Sequence, residues 1–230
     1  MAQHWMAHIH PIGVTPTPDA ESQTLSNHLS LSRLSLYHDS DTPVHHWEKS
    51  DWTLVVIGVH AIKEDFLTQW RQAPMRAAQQ LPESWILIAI DHSNERCWCG
   101  RDGLGFANAY WRLDEDQIWL SDSLTLLNKT AKTPPQLAEE HLSEFLSFRY
   151  NHAPRTLFKN RYALISGHFT IFNGSRVREE QWYKPNWYTL GQKIPTEREA
   201  KLEVDYLLRR SLEPHLFSQQ KFGVLLSGLR

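Results

Sequence analysis

The most pointed chemical signal in this chain lies in Lys221-Phe-Gly-Val-Leu-Leu-Ser-Gly-Leu-Arg230. A short apolar run that breaks into Ser227-Gly228 reads as a buried strand feeding a turn. The backbone N–H groups of such a turn can cradle phosphate oxygens. Any strand that ends in a glycine turn looks the same, so the run alone leaves both readings open. Cys97 and Cys99 flank Trp98 and share a face if the segment is extended. A disulfide between them would be strained and would close almost no loop, and no second cysteine pair exists to complete a metal site. They read as two reduced strand cysteines. Among the 13 histidines, His4, His8 and His10 lie close together and His45-His46 are adjacent. Neither group comes with Asp, Glu or Cys at a recognised ligand spacing, so no metal site is read from them.

The elements that must hold these residues are mostly strands. Strand patterns cover Leu29–Tyr37, Thr53–Val59, Trp85–Asp91, Arg96–Gly100, Asn108–Leu113 and Gln117–Ser121. Between the second and third, Ile62, Phe66, Leu67, Trp70 and Ala73 recur at helical spacing, with Pro74 marking a break or restart. Pro134-Pro135 opens a second helix over 136–148, whose Leu137, His141, Leu142, Phe145 and Leu146 trace one face. Strands resume at 163–165 and 168–172, turn at Asn173-Gly174 and continue over 177–183. Hairpins outnumber crossovers, which predicts antiparallel sheets covered by helices. After a linker over 185–195, Thr196 and Glu199 form a capping box for a third helix that Pro214 is expected to close, and 222–226 reads as a terminal strand. Helix, strand and glycine turn in that order would open a parallel α/β unit.

Composition narrows the function classes. With 230 residues, 41% hydrophobic and 22% charged, the chain can bury a sizeable core. A formal charge of −2 supplies no basic field for a phosphate backbone, so nucleic acid is not an expected partner. The longest apolar runs, 54–59 and 85–90, are strand-sized, so no membrane span is expected. The N-terminal segment lacks a cationic stretch followed by an apolar one, and a cytoplasmic location is the expectation. The ten tryptophans fall mostly inside apolar or alternating stretches and read as packing.

Taken in order, several segments resemble the asparagine synthetase family. Arg33-Leu-Ser-Leu is similar to the family's Arg-Leu-Ser-Ile strand, and Trp85–Asp91 to its Phe-Ala-Phe-Ala-Leu-Tyr-Asp strand. Arg101-Asp-Gly-Leu-Gly resembles Arg-Asp-Pro-Leu-Gly, with Tyr110 standing at the family's Leu-Tyr-Tyr strand. Ser121-Asp-Ser-Leu-Thr-Leu-Leu resembles Ser-Glu-Leu-Lys-Ala-Leu. Glu144-Phe-Leu-Ser-Phe, Pro154-Arg-Thr-Leu-Phe-Lys and Ile165-Ser-Gly-His-Phe resemble the family's Glu-Tyr-Leu, Pro-x-Thr-Ile/Leu-Phe and Pro-Pro-Gly-His segments. Gly223-Val-Leu-Leu-Ser-Gly resembles the start of Gly-Val-Leu-Leu-Ser-Gly-Gly-Leu-Asp-Ser. The resemblance is collinear over nearly the whole chain. It implies an α+β fold of the N-terminal-nucleophile type, an αββα sandwich of two antiparallel sheets between helices. The implied organisation is a class II glutamine amidotransferase-like domain over 1–184, a linker over 185–195 and the truncated start of an ATP-pyrophosphatase synthetase domain over 196–230.

The same resemblance sets expectations for single residues. The family hydrolyses glutamine with an N-terminal cysteine exposed by Met removal, and here Ala2 stands at that position. Ile57-Gly-Val-His-Ala-Ile62 corresponds to the family's Asn-Gly-Glu-Ile-Tyr-Asn, so Gly58 remains while Ile57 replaces the amide donor. Loss of one oxyanion donor costs about 3 kcal/mol of transition-state stabilisation. Arg33 matches the arginine that holds the glutamine carboxylate. Arg33 and Gly58 are thus expected as remnants of a glutamine site. Arg101, Asp102 and Gly105 are expected to serve the turn, through its glycine and a buried Arg–Asp pair. Leu225, Ser227 and Gly228 would form part of an ATP site. No cofactor is expected in this chain, although ATP and Mg2+ are implied for a complete family member. Relatives lacking the cysteine include β-lactam synthetases and the macrolactam synthetases of lasso-peptide pathways. The expectation is therefore an inactive amidotransferase-like portion of an amide-forming ligase. A non-catalytic scaffold for a separate synthetase or peptide-processing partner is the alternative, and the oligomeric state stays open.

Overall fold

The computed structural model describes residues 4–11, 25–82, 84–185 and 195–216. The chain divides into two compact units, Met1–Lys184 and Pro185–Arg230. The larger unit is α+β, and its described residues form 12 strands in two antiparallel six-stranded sheets. One sheet runs β10 (Tyr162–Ala163), β8 (Tyr110–Asp114), β9 (Gln117–Ser121), β1 (Trp5–Ile9), β3 (Leu34–His38) and β2 (Asn27–Leu31). The other runs β12 (Arg176–Gln181), β11 (His168–Asn173), β7 (Arg96–Arg101), β6 (Ile86–Asp91), β5 (Trp52–Ile57) and β4 (Val44–Glu48).

Side-chain alternation along β5 and β6 explains why they read as continuous apolar runs. Val55, Ile57, Ile86, Ile88 and Ile90 join the core shared with Ala7, Ile9, Leu34, Leu36, Trp111 and Leu120 of the first sheet. Leu54, Val56, Leu87 and Ala89 point the other way, into a second core with Phe66, Leu67 and Trp70 of α1 (Phe66–Gln72) and with Ala77 and Ala78 of α2 (Pro74–Ala78). A strand buried on both faces has no polar side, and each filled position is worth roughly 1.5–3 kcal/mol against exposure. The break expected at Pro74 is present, with the proline at the start of α2 and Ala73 extended between the helices.

Several elements differ from the sequence reading. The run 29–37 is a hairpin, β2 and β3, with its turn at Ser32-Arg33, because Leu31 pairs with Leu34. β1 and β4 are strands that the pattern did not mark. β1 is buried at all five positions between β3 and β9, so it shows no alternation. The helix expected over 136–148 begins as a 3-10 turn at Glu139–His141 and becomes α4 only at Leu142–Phe148. Leu137 is instead held in a bridge to Phe158. The apolar face of this segment is solvent-exposed at Leu137, Leu142 and Leu146. A further short helix, α3 (Leu124–Lys129), is capped by the Ser123 side chain, which accepts from the Leu126 N–H at 3.3 Å.

In the smaller unit, α5 (Glu197–Leu216) carries the expected capping box. Thr196 N–H donates to Glu199 Oε2 at 2.8 Å, and Glu199 N–H returns a bond to Thr196 Oγ1 at 3.3 Å. The helix runs two residues past Pro214, which therefore falls in its last turn. A proline there removes a single hydrogen bond and need not end the helix at once. The strand expected over 222–226 lies outside the described residues, as does most of the linker. Among the described residues, no helix is long and apolar enough to cross a membrane.

Candidate functional site

The turns at one end of the sandwich border an open cleft of about 510 Å3 lined by Ser32, Arg33, Glu48, Lys49, Ser50 and His92. Ser32 and Arg33 come from the β2–β3 turn, Glu48 to Ser50 from the end of β4 and its turn, and His92 from just beyond β6. Backbone bonds fix these turns against one another. Lys49 and Trp52 exchange N–H···O bonds of 2.8 and 3.3 Å across the β4–β5 turn, and His92 N–H donates to Asp51 O at 3.0 Å. Ser32 N–H donates to Glu48 Oε1 at 2.8 Å, which ties the two sheets together at this end. That bond, foremost, lowers the Glu48 carboxyl below its ordinary value.

Arg33 is half-buried here. Its Nε donates to His10 O at 3.3 Å, and its Nη1 is buried with no partner among the described residues. His92 shares a 2.9 Å hydrogen bond with Thr53 Oγ1. Burial, and then the charge of Arg33, holds the His92 imidazole below its ordinary value, so it is neutral at neutral pH.

Gly58 is elsewhere. Its N–H donates to Pro43 O at 2.9 Å, at the other end of the β4–β5 hairpin from Glu48. Pro43 to Glu48 spans about 17 Å of extended chain, so the structure does not bring Arg33 and Gly58 together. The glycine has a backbone reason to be there: φ is +97°, and a Cβ would meet Ser84 O at 2.8 Å. With its N–H bonded to Pro43, the amide is not presented to a substrate oxyanion.

The Arg101-Asp102 segment corrects an expectation. Asp102 is buried and acts on Arg101 through its charge, but its carboxylate oxygens bond to backbone amides and not to the guanidinium. Oδ1 accepts N–H bonds from Leu104, Gly105 and Phe106 at 3.1, 2.6 and 3.0 Å, and Oδ2 accepts from Ala107 at 2.8 Å. Four inward-pointing amides outcompete a neighbouring guanidinium because the turn itself wraps around the carboxylate. Arg101 instead donates from Nη1 to Ala107 O at 3.2 Å. Gly105 sits at φ +77°, where a Cβ would meet Ser166 Cβ at 3.0 Å.

Both thiols are in the core of the sandwich. Cys97 and Cys99 are free and buried on β7, with their sulfurs 3.6 Å apart. Burial, then the Cys97 contact, pushes the Cys99 thiol up, away from the reactive thiolate. Ala2, Leu225, Ser227 and Gly228 lie outside the described residues. Among the described residues, no group of three or more His, Cys, Asp or Glu could hold a metal ion.

The family model of the glutamine amidotransferase domain matches residues 63–183, just over half of the chain. The chain belongs to the glutamine amidotransferase domain family. No curated protein matches it. The matched part of this amidotransferase domain includes α1, α2 and the strands from β6 to β12, and therefore the Asp102 turn and His92. Ser32, Arg33, Glu48, Lys49 and Ser50 precede it. Sequence reasoning about the amidotransferase domain marked Arg33 but missed the other five residues of the cavity. They come from three separate turns and carry no local motif.

Proposed function

We propose that this chain is the amidotransferase-like portion of an asparagine-synthetase-type, ATP-dependent amide-forming ligase, of the asparagine or peptide-macrolactam kind, in which glutamine hydrolysis has been lost. The ligase identity is supported by the collinear motifs from Arg33-Leu-Ser-Leu to Gly223-Val-Leu-Leu-Ser-Gly. The loss of hydrolysis is carried by one observation: Ala2 stands where the family exposes its cysteine, and no other thiol is placed to replace it. Attack on a carboxamide needs a thiolate beside a free oxyanion donor. Both thiols lie in the core on β7, and the Gly58 N–H is bonded to Pro43 O. ATP and Mg2+ would be handled by residues of the synthetase domain, and Leu225, Ser227 and Gly228 would be this chain's contribution.

The full chain incubated with glutamine, with and without ATP and Mg2+, is expected to release glutamate no faster than buffer does. Enzymatic release that stops on thiol alkylation would overturn the proposal. A second reading, a non-catalytic scaffold for a separate synthetase, is favoured by the exposed Leu142, Leu146 and Phe148 of α4.

A further inference from the structure

None of the side chains described on α5 is buried. Val204, Leu207, Leu208 and Leu212 recur at helical spacing and, with Ala200 and Ser211, form one apolar stripe. The four large side chains are 48–57% exposed. The Thr196–Glu199 capping box and the Lys201–Glu197 and Arg209–Asp205 pairs, at 2.7 and 2.8 Å, hold the helix locally. Most of the stability of such a helix comes from burying its stripe, so the stripe needs a cover. The charges beside it select one. Glu203, Leu207 and Arg210 stand at i, i+4 and i+7 and edge the stripe on one side, while Asp205 and Arg209 edge it on the other. Asp205 and Arg209 pair with each other within the helix, whereas Glu203 and Arg210 form no ion pair among the described residues. In two such helices lying antiparallel about a twofold axis, the same edges face each other, so Glu203 of each copy meets Arg210 of the other. Parallel helices would bring opposite edges together, setting Glu203 beside Asp205 and Arg210 beside Arg209, which repels.

We propose that α5 is a self-association surface: two copies of this chain pair through antiparallel α5 helices, with Val204, Leu207, Leu208 and Leu212 packed across the twofold axis and a Glu203–Arg210 pair at each end of one edge. A single helix pair buries less than the roughly 1,200 Å2 at which standard interfaces begin, so the dimer is reversible. The inference goes beyond the amidotransferase-like reading, which makes no use of this face.

The test is sedimentation equilibrium of the full chain at neutral pH and low salt, over concentrations from about 1 to about 200 μM. The mass is expected to rise from one chain toward two. Glu203→Arg should weaken association by at least about tenfold, because arginine then faces arginine twice, and Glu203→Arg with Arg210→Glu should restore it. Leu207→Asp should abolish it. Amide spectra of the sandwich that match the parent's confirm that each variant is folded. A chain that stays monomeric throughout would overturn the proposal and assign the stripe to another segment of this chain or to a different partner. A double variant that associates no better than Glu203→Arg alone would overturn the antiparallel pairing. Association that survives Leu207→Asp but is lost in Leu146→Asp would overturn it too, by moving the interface to α4. Glutamate release in the preceding assay would leave this result untouched, so the two proposals fail separately.

Discussion

The Asp102 turn and the Arg33 cavity both carry a charged residue of the family resemblance, yet they handle charge in opposite ways. Asp102 is buried with four backbone amides on its two oxygens, and the loop 104–107 is shaped by those bonds. Among the described residues, Arg33 makes one long bond to His10 O and keeps a buried Nη1 without a partner. A charge enclosed by its own loop reports on folding. A guanidinium nitrogen left without a partner marks a bond that the described fold does not make. Residues retained from one family pattern therefore divide by whether the fold already satisfies them.

The largest effect should come from breaking the closed side of that comparison. Asp102→Ala removes the acceptor of four inward amides and should cost about 3–4 kcal/mol in urea unfolding. A loss under about 1 kcal/mol would mean that the loop does not depend on the carboxylate. Gly58→Ala comes next, at about 2 kcal/mol, because of its positive φ and the 2.8 Å approach to Ser84 O. If this variant were as stable as the parent, the glycine would not be there for the backbone, and a role for Gly58 in substrate binding would regain ground.

The smallest effect sharpens the open side. His92 has its folded-state value lowered by burial and by Arg33, against the opposing pull of Glu48, Asp91 and Asp51. The folded state thus binds fewer protons than the unfolded chain, and stability rises with pH. This contribution is full above the unfolded histidine value of about 6.5 and is lost as pH falls below it. His92→Gln should flatten the decline in Tm between about pH 7 and about pH 5. An unchanged slope would place the acid sensitivity in other groups.

Much of the sandwich was legible because its central strands are apolar on both faces. β5, β6, β7 and β9 were placed from sequence to within a residue or two, and Asn173-Gly174 marked the β11–β12 turn. What escaped did so for local reasons. The β2–β3 turn at Ser32-Arg33 has no Gly, Pro, Asn or Asp to announce it, and β4 is an edge strand with His45, His46 and Glu48 in its five residues. The periodicity of 137–148 was real but lines an exposed surface, since the repeat says only that one face is apolar. The cavity was nearly invisible: Arg33 stands 59 residues from His92 in the numbering, and their turns meet through the Ser32–Glu48 bond between the sheets and the pairing of β4, β5 and β6.

The cysteine pair has a practical consequence. β7 is held on one side by β6 and on the other by β11, so neither sulfur meets solvent until a central strand parts from its neighbours. Attack by a soluble disulfide or maleimide must therefore wait for the sandwich to open. The rate at which Cys97 and Cys99 become modified then serves as a clock built into the chain, timing the opening of the whole sheet with no engineered label.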